Sequence, residues 1–299
     1  MNNGHRSGLI TFIGRPNVGK STLLNRLVGQ KVSITSRRPQ TTRHRIMGVS
    51  TRADAQLVYV DTPGLHLGKG KMINRFMNRA ATGALQGVDC IAVVISATGW
   101  QEADDRVLEA VRKQEQPVVL VINKMDLLKR REELLPLIEL SKAKMSFAEI
   151  VPVSARTGTN MDELERVLTD LLPEQPPLFP EDQLTDRSER FMAAEFVREQ
   201  VFRSLGQEVP YSVAVEIERF RIEKRVLHIN ALIWVEKSGQ KAILIGKGGD
   251  RLKQIGSAAR KEMEQFFGRK VNLTLWVKVR EGWSDSEKAV RSLGYADED

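Results

Sequence analysis

With a single cysteine, Cys90, among its 299 residues, the chain cannot close an internal disulfide, and a reducing cytosol is its natural compartment. That cysteine lies in the apolar run CIAVVISA, where core packing is its expected role. No apolar run approaches the ~18 residues that a membrane span requires. The N-terminal MNNGHRSG also lacks the apolar centre of a signal peptide, so the expectation is a soluble protein, at most peripheral to a membrane. Acidic residues are missing altogether from residues 1–53, which carry ten Lys or Arg, and residues 241–280 hold ten basic against three acidic residues. Either window suits phosphate or a solvated face, and charge by itself does not choose between them.

An apolar fraction of 41% with 28% charged residues describes an ordinary globular chain, and its length suggests two domains. From residue 8 to about 172 the runs GLITFIG, AQLVYVD, CIAVVIS, PVVLVIN and AEIVPVS alternate with helical patterns such as ADDRVLEAVRKQ and NMDELERVLTDLL. Continuous apolar strands between helices predict a mostly parallel sheet covered on both faces. Four of the 11 prolines then fall within residues 173–180, in PEQPPLFPED, which reads as an extended linker. The expected division is 1–172 for an α/β domain, 173–189 for the linker and 190–299 for a smaller α+β domain. Within the last, a helix over RSERFMAAEFVREQVFRSLG leads to the strands YSVAVEIERF and RVLHINALIWVE, a short strand AILI, a glycine loop, a helix and the strand KVNLTLWVKV. Val213, Val215 and Ile217 should share one face.

The octet GRPNVGKS follows the strand LITFI and precedes the helical STLLNRLVG, the context required of a phosphate-binding loop. Backbone N–H groups between Gly14 and Lys20, from Arg15, Asn17, Val18 and Gly19 but not from Pro16, which has none and only shapes the loop, are placed to cradle phosphates, with Thr22 close behind in the helix. Lys20 can reach the β- and γ-phosphates, and Ser21 can bind Mg²⁺. DTPG follows another strand, so Asp61 can hold Mg²⁺ through water, and Gly64 can offer its N–H to the γ-phosphate, with Thr62 and Pro63 between. NKMD supplies Asn123, Lys124 and Asp126 at a strand end. A carboxylate there accepts two hydrogen bonds from guanine, whose N1–H adenine lacks.

These motifs resemble the Ras-like translation-factor class of GTPases over residues 8–172. The resemblance implies that Asn123 and Asp126 read the base, that Lys124 packs along it, and that Ser154 and Ala155 of VPVSAR present backbone N–H to the guanine oxygen. It also places a mobile switch in RRPQTTRHR, with Thr42 rather than Thr41 closing over Mg²⁺ and the γ-phosphate. Catalysis is expected to rest on Lys20, Thr42, Gly64 and Asn17, by positioning and electrostatics without a covalent intermediate. Leu65 stands where Ras-type enzymes have a water-orienting glutamine, which implies slow hydrolysis or another device. His66 is expected to be incidental. Asn17 suggests such a device by resemblance: a K⁺ ion beside the phosphates.

The second glycine loop, Gly246-Lys247-Gly248-Gly249, has no Lys-Ser pair for a triphosphate and is followed by Leu252, Ile255, Ala259, Met263 and Phe266 at helical spacing. IGKGGDRLKQIGSAAR resembles the KH domain, in which a G-x-x-G loop clamps the backbone of about four single-stranded nucleotides. On that resemblance Gly246, Lys247, Gly248, Gly249, Arg251, Lys253 and Arg260 contact RNA, in the type II topology. Nothing matches the aromatic strand signature of an RRM. Trp234 and Trp276 fall in strand patterns and are expected in the core, while the place of Trp283 is open.

A P-loop GTPase domain followed by a proline-rich linker and a type II KH domain resembles the Era family of bacterial GTPases over nearly the whole chain. The resemblance implies a Mg²⁺-dependent GTPase, binding GTP and GDP as a monomer in the cytoplasm and at the inner membrane face. It would bind small-subunit ribosomal RNA near its 3′ end and act in small-subunit assembly, with a link to cell growth and division. Two other readings stay open: a switch whose basic half meets lipid or protein, and a constitutive RNA-binding protein with a vestigial GTPase.

Overall fold

The computed structural model describes residues 4–36, 38–64, 72–205 and 213–295, and the chain divides into two compact units. Among described residues the first takes in 4–33, 42–64 and 77–186, and the second takes in 34–36, 38–41, 72–76 and 187–295.

In the first unit the elements run β1 (Arg6–Ile13), α1 (Lys20–Val28), β2 (Ile46–Thr51), β3 (Ala55–Asp61), α2 (Met72–Gly83, its first turn grouped with the second unit), β4 (Cys90–Ser96), α3 (Glu102–Val111), β5 (Val118–Asn123), α4 (Leu134–Lys144), β6 (Glu149–Pro152) and α5 (Met161–Asp170). The six strands lie in the order β2-β3-β1-β4-β5-β6. Every pairing is parallel except β2 with β3. Apolar residues fill β3, β4 and β5 because helices cover both faces, so every residue of those strands is buried. One core joins Ile10, Phe12, Tyr59, Ala92 and Val121 to α1 and α5, and the other joins Ile13, Ile91, Val93, Ile95 and Ile122 to α3 and α4. Phe12 and Tyr59 stack at 5.6 Å between ring centroids, an arrangement worth about 0.5–1.5 kcal/mol beyond its buried area.

β2 is an element that the run of apolar strands did not reveal. Its sequence IMGVST is short, interrupted by Gly48 and set at the sheet edge, so neither a continuous apolar run nor clean alternation marks it. The proline-rich stretch groups with this unit as far as Asp186. Its prolines leave carbonyls free to accept: Ser7 N–H donates to Pro173 O (3.2 Å) and Ser7 Oγ to Pro176 O (2.7 Å). The Gln56 side chain takes the amides of Leu178 and Phe179 on Oε1 (2.7 and 2.9 Å).

The second unit consists of α6 (Glu189–Ser204), β7 (Ala214–Glu223), β8 (Val226–Val235), α7 (Ser238–Ile245), α8 (Asp250–Phe267), β9 (Lys270–Val279) and α9 (Glu287–Val290). Ser188 Oγ caps α6 by accepting the N–H of Phe191 (3.2 Å). β7 pairs antiparallel with β8, which pairs parallel with the edge strand β9. Ile217, Ile229, Ala231, Ile233 and Val277 point to one face, and with Phe196 of α6 and Ile255, Ala259 and Met263 of α8 they form the core. Val213 is buried and Val215 half-buried in the same cluster.

Two expectations are corrected here. AILI is not a strand but the end of α7, since four apolar residues cannot distinguish the two periods. The decisive feature is polar: Gln240 Oε1 accepts the amides of Glu236 and Lys237 (2.9 and 3.0 Å), which starts a helix that Gly246 ends. Trp276 is not a core residue; it is 55% exposed, on the sheet face opposite α8. Trp234 is half-buried at the edge of a small cluster in which Trp283 is wholly buried and stacks on Tyr295 at 6.2 Å.

Candidate nucleotide site and nucleic-acid interface

The first site gathers at the carboxyl ends of β1, β3 and β5, the crevice where open α/β sheets bind ligands. Gly14 leaves β1, and Gly19 adopts φ 105° to turn the chain into α1. A Cβ on Gly19 would lie 2.3 Å from Asn123 Nδ2, so both the left-handed backbone and the close approach require glycine. Lys20, 6% exposed, donates to the carbonyls of Gly14 (2.9 Å) and Arg15 (3.2 Å). Burial pushes its ammonium down to about 8, against the attraction of Asp61. An anion beside it would raise that value again.

Asp61 is wholly buried, and hydroxyls of Ser21 (2.6 Å), Ser33 (2.8 Å) and Thr42 (3.4 Å) donate to its Oδ2. Ser21 Oγ and Thr42 Oγ1 also lie 2.9 Å apart, so one of them shares its single proton between the other and Asp61. Burial raises the Asp61 pKa, opposed by these hydroxyls and by Lys20. Its Oδ1 is buried with no hydrogen-bond partner. Oxygen donors converging on a carboxylate with one unmatched oxygen suit a hard divalent cation. Thr41, next to Thr42, instead bonds Ser36 (2.5 Å) and Arg38 O (2.8 Å).

Asn123 braces two loops. Its Nδ2 donates to Val18 O (2.8 Å), while Oδ1 accepts the N–H of Ala155 (3.0 Å) and of Lys124 (2.8 Å). The Lys124 ammonium donates to Asn17 O, and burial lowers its pKa. Asp126, whose side chain is 14% exposed, accepts from Ser154 Oγ at 2.6 Å and lies 3.7 Å from Arg156 Nη1. Lys124, Asp126, Ser154 and Ala155 thus meet at one strand end.

Several expected residues face elsewhere. Arg15 is tied by Nε to Asp104 Oδ2 at 3.1 Å, leaving its backbone for a phosphate. Thr62 Oγ1 donates to Phe12 O (3.0 Å), and Gly64 packs against the Pro16 ring. Pro63 is buried, Thr22 half-buried and Asn17 exposed with φ 65°. Leu65 and His66 lie outside the described residues. Ser33 and Asp104 were missed in the sequence, and no local motif marks either.

The second site is the turn between α7 and α8. Gly246 has φ 75° and ψ 179°, and a Cβ there would lie 2.8 Å from Arg251 Cβ. Gly248 and Gly249 open onto space. Lys247 and Lys253 are exposed, with no ion partner among the described residues. Arg251 instead donates to Ile243 O (2.6 Å), and Arg260 pairs with Glu264 (3.1 Å). Ile243 is 45% exposed beside the loop. Positive charge, glycines open to solvent and an apolar side chain therefore share one turn.

The family model described as a 50S ribosome-binding GTPase matches residues 9–124, and that of a KH domain matches residues 208–284. GTPase Era of Pseudomonas aeruginosa is 54% identical over 294 residues, 98% of this chain and 96% of that relative. GTPase Era of Coxiella burnetii is 55% identical over 288 residues, 96% of this chain and 97% of that relative. A substituted Aquifex aeolicus Era bound to GDP·AlF₄⁻ superposes with a TM-score of 0.95 at 42% identity, covering 98% of this chain and 100% of that one. The same four figures hold for Era in complex with MgGDPNP and nucleotides 1506–1542 of 16S ribosomal RNA.

Proposed function

We propose, from the premise that this chain belongs to the Era family of GTPases, that its GTPase cycle sets the affinity of its KH domain for the 3′ end of small-subunit ribosomal RNA during subunit assembly. The observation that supports this most directly is the pair of glycine turns. One encloses a buried lysine beside a cation-suited carboxylate, and the other leaves exposed lysines on an open loop.

On the nucleotide side, the backbone from Gly14 to Lys20 receives the phosphates, and Lys20 exchanges its two carbonyl acceptors for phosphate oxygens. Mg²⁺, when bound, offsets charge on the β- and γ-phosphates. Ser21, Thr42 and Asp61 are the residues that would hold it. Gly64 directs its N–H to the γ-phosphate. Asp126 accepts from guanine, and Ala155 N–H lies beside the base once Asn123 has fixed that loop. Asn17 is the residue we assign to a K⁺ ion; turnover in KCl well above that in NaCl supports it, and equal turnover removes it.

On the RNA side, the turn at Gly246–Gly249 meets the sugar-phosphate chain, and Lys247 and Lys253 meet phosphates. Cytoplasmic, monomeric action is part of the same reading. Among the described residues no helix is long and apolar enough to cross a membrane. Contact with the inner membrane would therefore be peripheral, and anionic vesicles in the RNA assay test it.

The reading is tested by titrating the 1506–1542 fragment of 16S ribosomal RNA into the protein with a GTP analogue, with GDP and without nucleotide. Coupling requires different affinities, since a nucleotide that favours neither RNA-competent nor RNA-blocked protein shifts nothing. Equal affinity in all three states sinks the coupling. Turnover that survives Lys20→Ala would sink the catalytic assignment.

A further inference from the structure

The sheet of the second unit has an outer face, opposite the one packed by α6 and α8. Cross-strand partners define it: Ala214, Trp234 and Lys278; Glu216, Leu232 and Trp276; Arg219, Asn230 and Thr274; Arg221, His228 and Asn272. The small cluster around Trp283 covers one end, which leaves Trp234 half-buried. Beyond it Thr274, Asn272, Arg219 and Arg221 are exposed. At the margin stands Trp276, 55% exposed, with no ring, hydrogen-bond or ion partner among the described residues. Its neighbour Trp234 shows what a satisfied tryptophan looks like here. It donates Nε1 to Glu216 (2.9 Å) and carries Lys278 and Arg280 over its ring at 5.9 and 6.0 Å.

An indole left in water forgoes most of the stabilisation that burying a large aromatic gives, and Trp276 is the one exposed tryptophan among the described residues. Its same-face neighbours along β9 are Thr274 and Lys278, and across the sheet stand Leu232, 2% exposed, and Glu216, whose carboxylate already accepts from Trp234 Nε1. Such a surroundings suits a planar, hydrogen-bonding, negatively charged partner better than an apolar protein surface. Arg221 and Lys270 have no acidic partner among the described residues, while Arg219 is paired with Glu223 (2.6 Å). Continuity with the groove supplies the second argument. Trp276 belongs to the edge strand β9, and its neighbour Leu275 turns to the other face and packs at Gly256 of α8, the helix that follows the glycine turn.

We propose that Trp276 stacks a base of single-stranded RNA that leaves the KH groove and passes over β9 onto the outer face of the sheet. The proposal rests on RNA occupying the groove. It adds a second contact, sequence-tolerant because every base has a stacking face. Asn272 and Thr274 lie along the same strand and offer hydrogen bonds to base edges.

The test compares wild type, Trp276→Ala, Trp276→Phe and Gly248→Asp on nested pieces of the 1506–1542 fragment, shortened from either end. Stacking worth about 1–3 kcal/mol corresponds to roughly a 5- to 150-fold loss of affinity in Trp276→Ala. That loss should appear on long pieces and vanish on the shortest piece that still binds wild type. Trp276→Phe should retain most of the affinity, and the RNA-induced quenching of tryptophan emission should lose the share that Trp276 contributes among the four tryptophans. GTP turnover and melting temperature should not change, because the side chain is exposed and unpartnered. Equal affinity of Trp276→Ala and wild type for every piece overturns the proposal, as does a loss confined to anionic vesicles. If Gly248→Asp also binds RNA like wild type, the groove reading fails rather than this one alone.

Discussion

The two glycine turns share a residue type and differ in what surrounds them. At Gly14–Ser21 the lysine is buried, its ammonium is held by two carbonyls, and the turn is braced from outside by Asn123. At Gly246–Gly249 the lysine is exposed, and nothing lies within 4 Å of where a Cβ would stand on Gly248 or Gly249. A closed, braced turn fits a small anion whose full charge must be met in one place. An open turn fits a polymer whose charge is spread along its length and whose ends must pass through. The lesson is that glycine sets the backbone's reach, while burial of the neighbouring lysine decides the size of the phosphate partner.

Lys20→Ala should break the comparison most severely. Removing one preorganised cation from the phosphates should lower turnover about a hundredfold to a thousandfold, measured as phosphate release. The same change should move the melting temperature of the nucleotide-free protein far less than turnover, since it removes a buried ammonium held by two carbonyls but also the positive charge that favours the buried Asp61 carboxylate. Nucleotide-free RNA binding should persist. Next in size, Asn123→Ala removes the brace and leaves the buried amide of Ala155 and the carbonyl of Val18 unmatched. At about 1–3 kcal/mol for each stranded group, guanine-nucleotide affinity should fall at least tenfold and the melting temperature by several degrees. A fluorescent GDP analogue and a thermal melt measure the two losses.

In the second turn the corresponding stress falls on the backbone. Gly246→Ala must accept φ 75° with ψ 179° and a Cβ 2.8 Å from Arg251 Cβ, so a loss of about 1–3 kcal/mol in unfolding free energy is expected. Gly248→Ala, with φ 62° and open space, should cost about 1 kcal/mol or less. Urea denaturation of the two variants side by side decides it; equal losses would mean that the turn is less constrained at its start than its geometry indicates.

What could be read from the sequence follows the same division. GRPNVGKS, DTPG and NKMD are local patterns, so their residues could be named before any fold was known. The bracing groups are not local. Ser33 meets Asp61 across 28 positions and Asp104 meets Arg15 across 89, so only the fold brings them together. β2 and the end of α7 escaped for a different reason: their apolar runs are too short for a period to show. Trp276 escaped because alternation assigns a strand residue to one of two faces without saying which face is covered. The parallel sheet was legible because helices on both sides demand apolar residues throughout β3, β4 and β5.

The smallest expected effect separates the basic residues around the second turn by what holds them. Lys247 and Lys253 are exposed and unpaired among the described residues, so each lost phosphate contact in Lys247→Ala or Lys253→Ala should flatten the log-log salt dependence of RNA affinity by about 0.7. Arg251 is equally basic and lies between them, but its guanidinium donates to Ile243 O at 2.6 Å, in the last turn of α7. A cation there offsets the helix dipole and satisfies an orphan carbonyl. Arg251→Ala should therefore cost about 1 kcal/mol of stability and leave the salt slope closer to wild type. If instead its slope falls as far as that of Lys253→Ala with no loss of stability, the guanidinium leaves Ile243 when RNA binds. The open turn would then be recruiting its charges on contact, as the buried Lys20 must do with its own carbonyls.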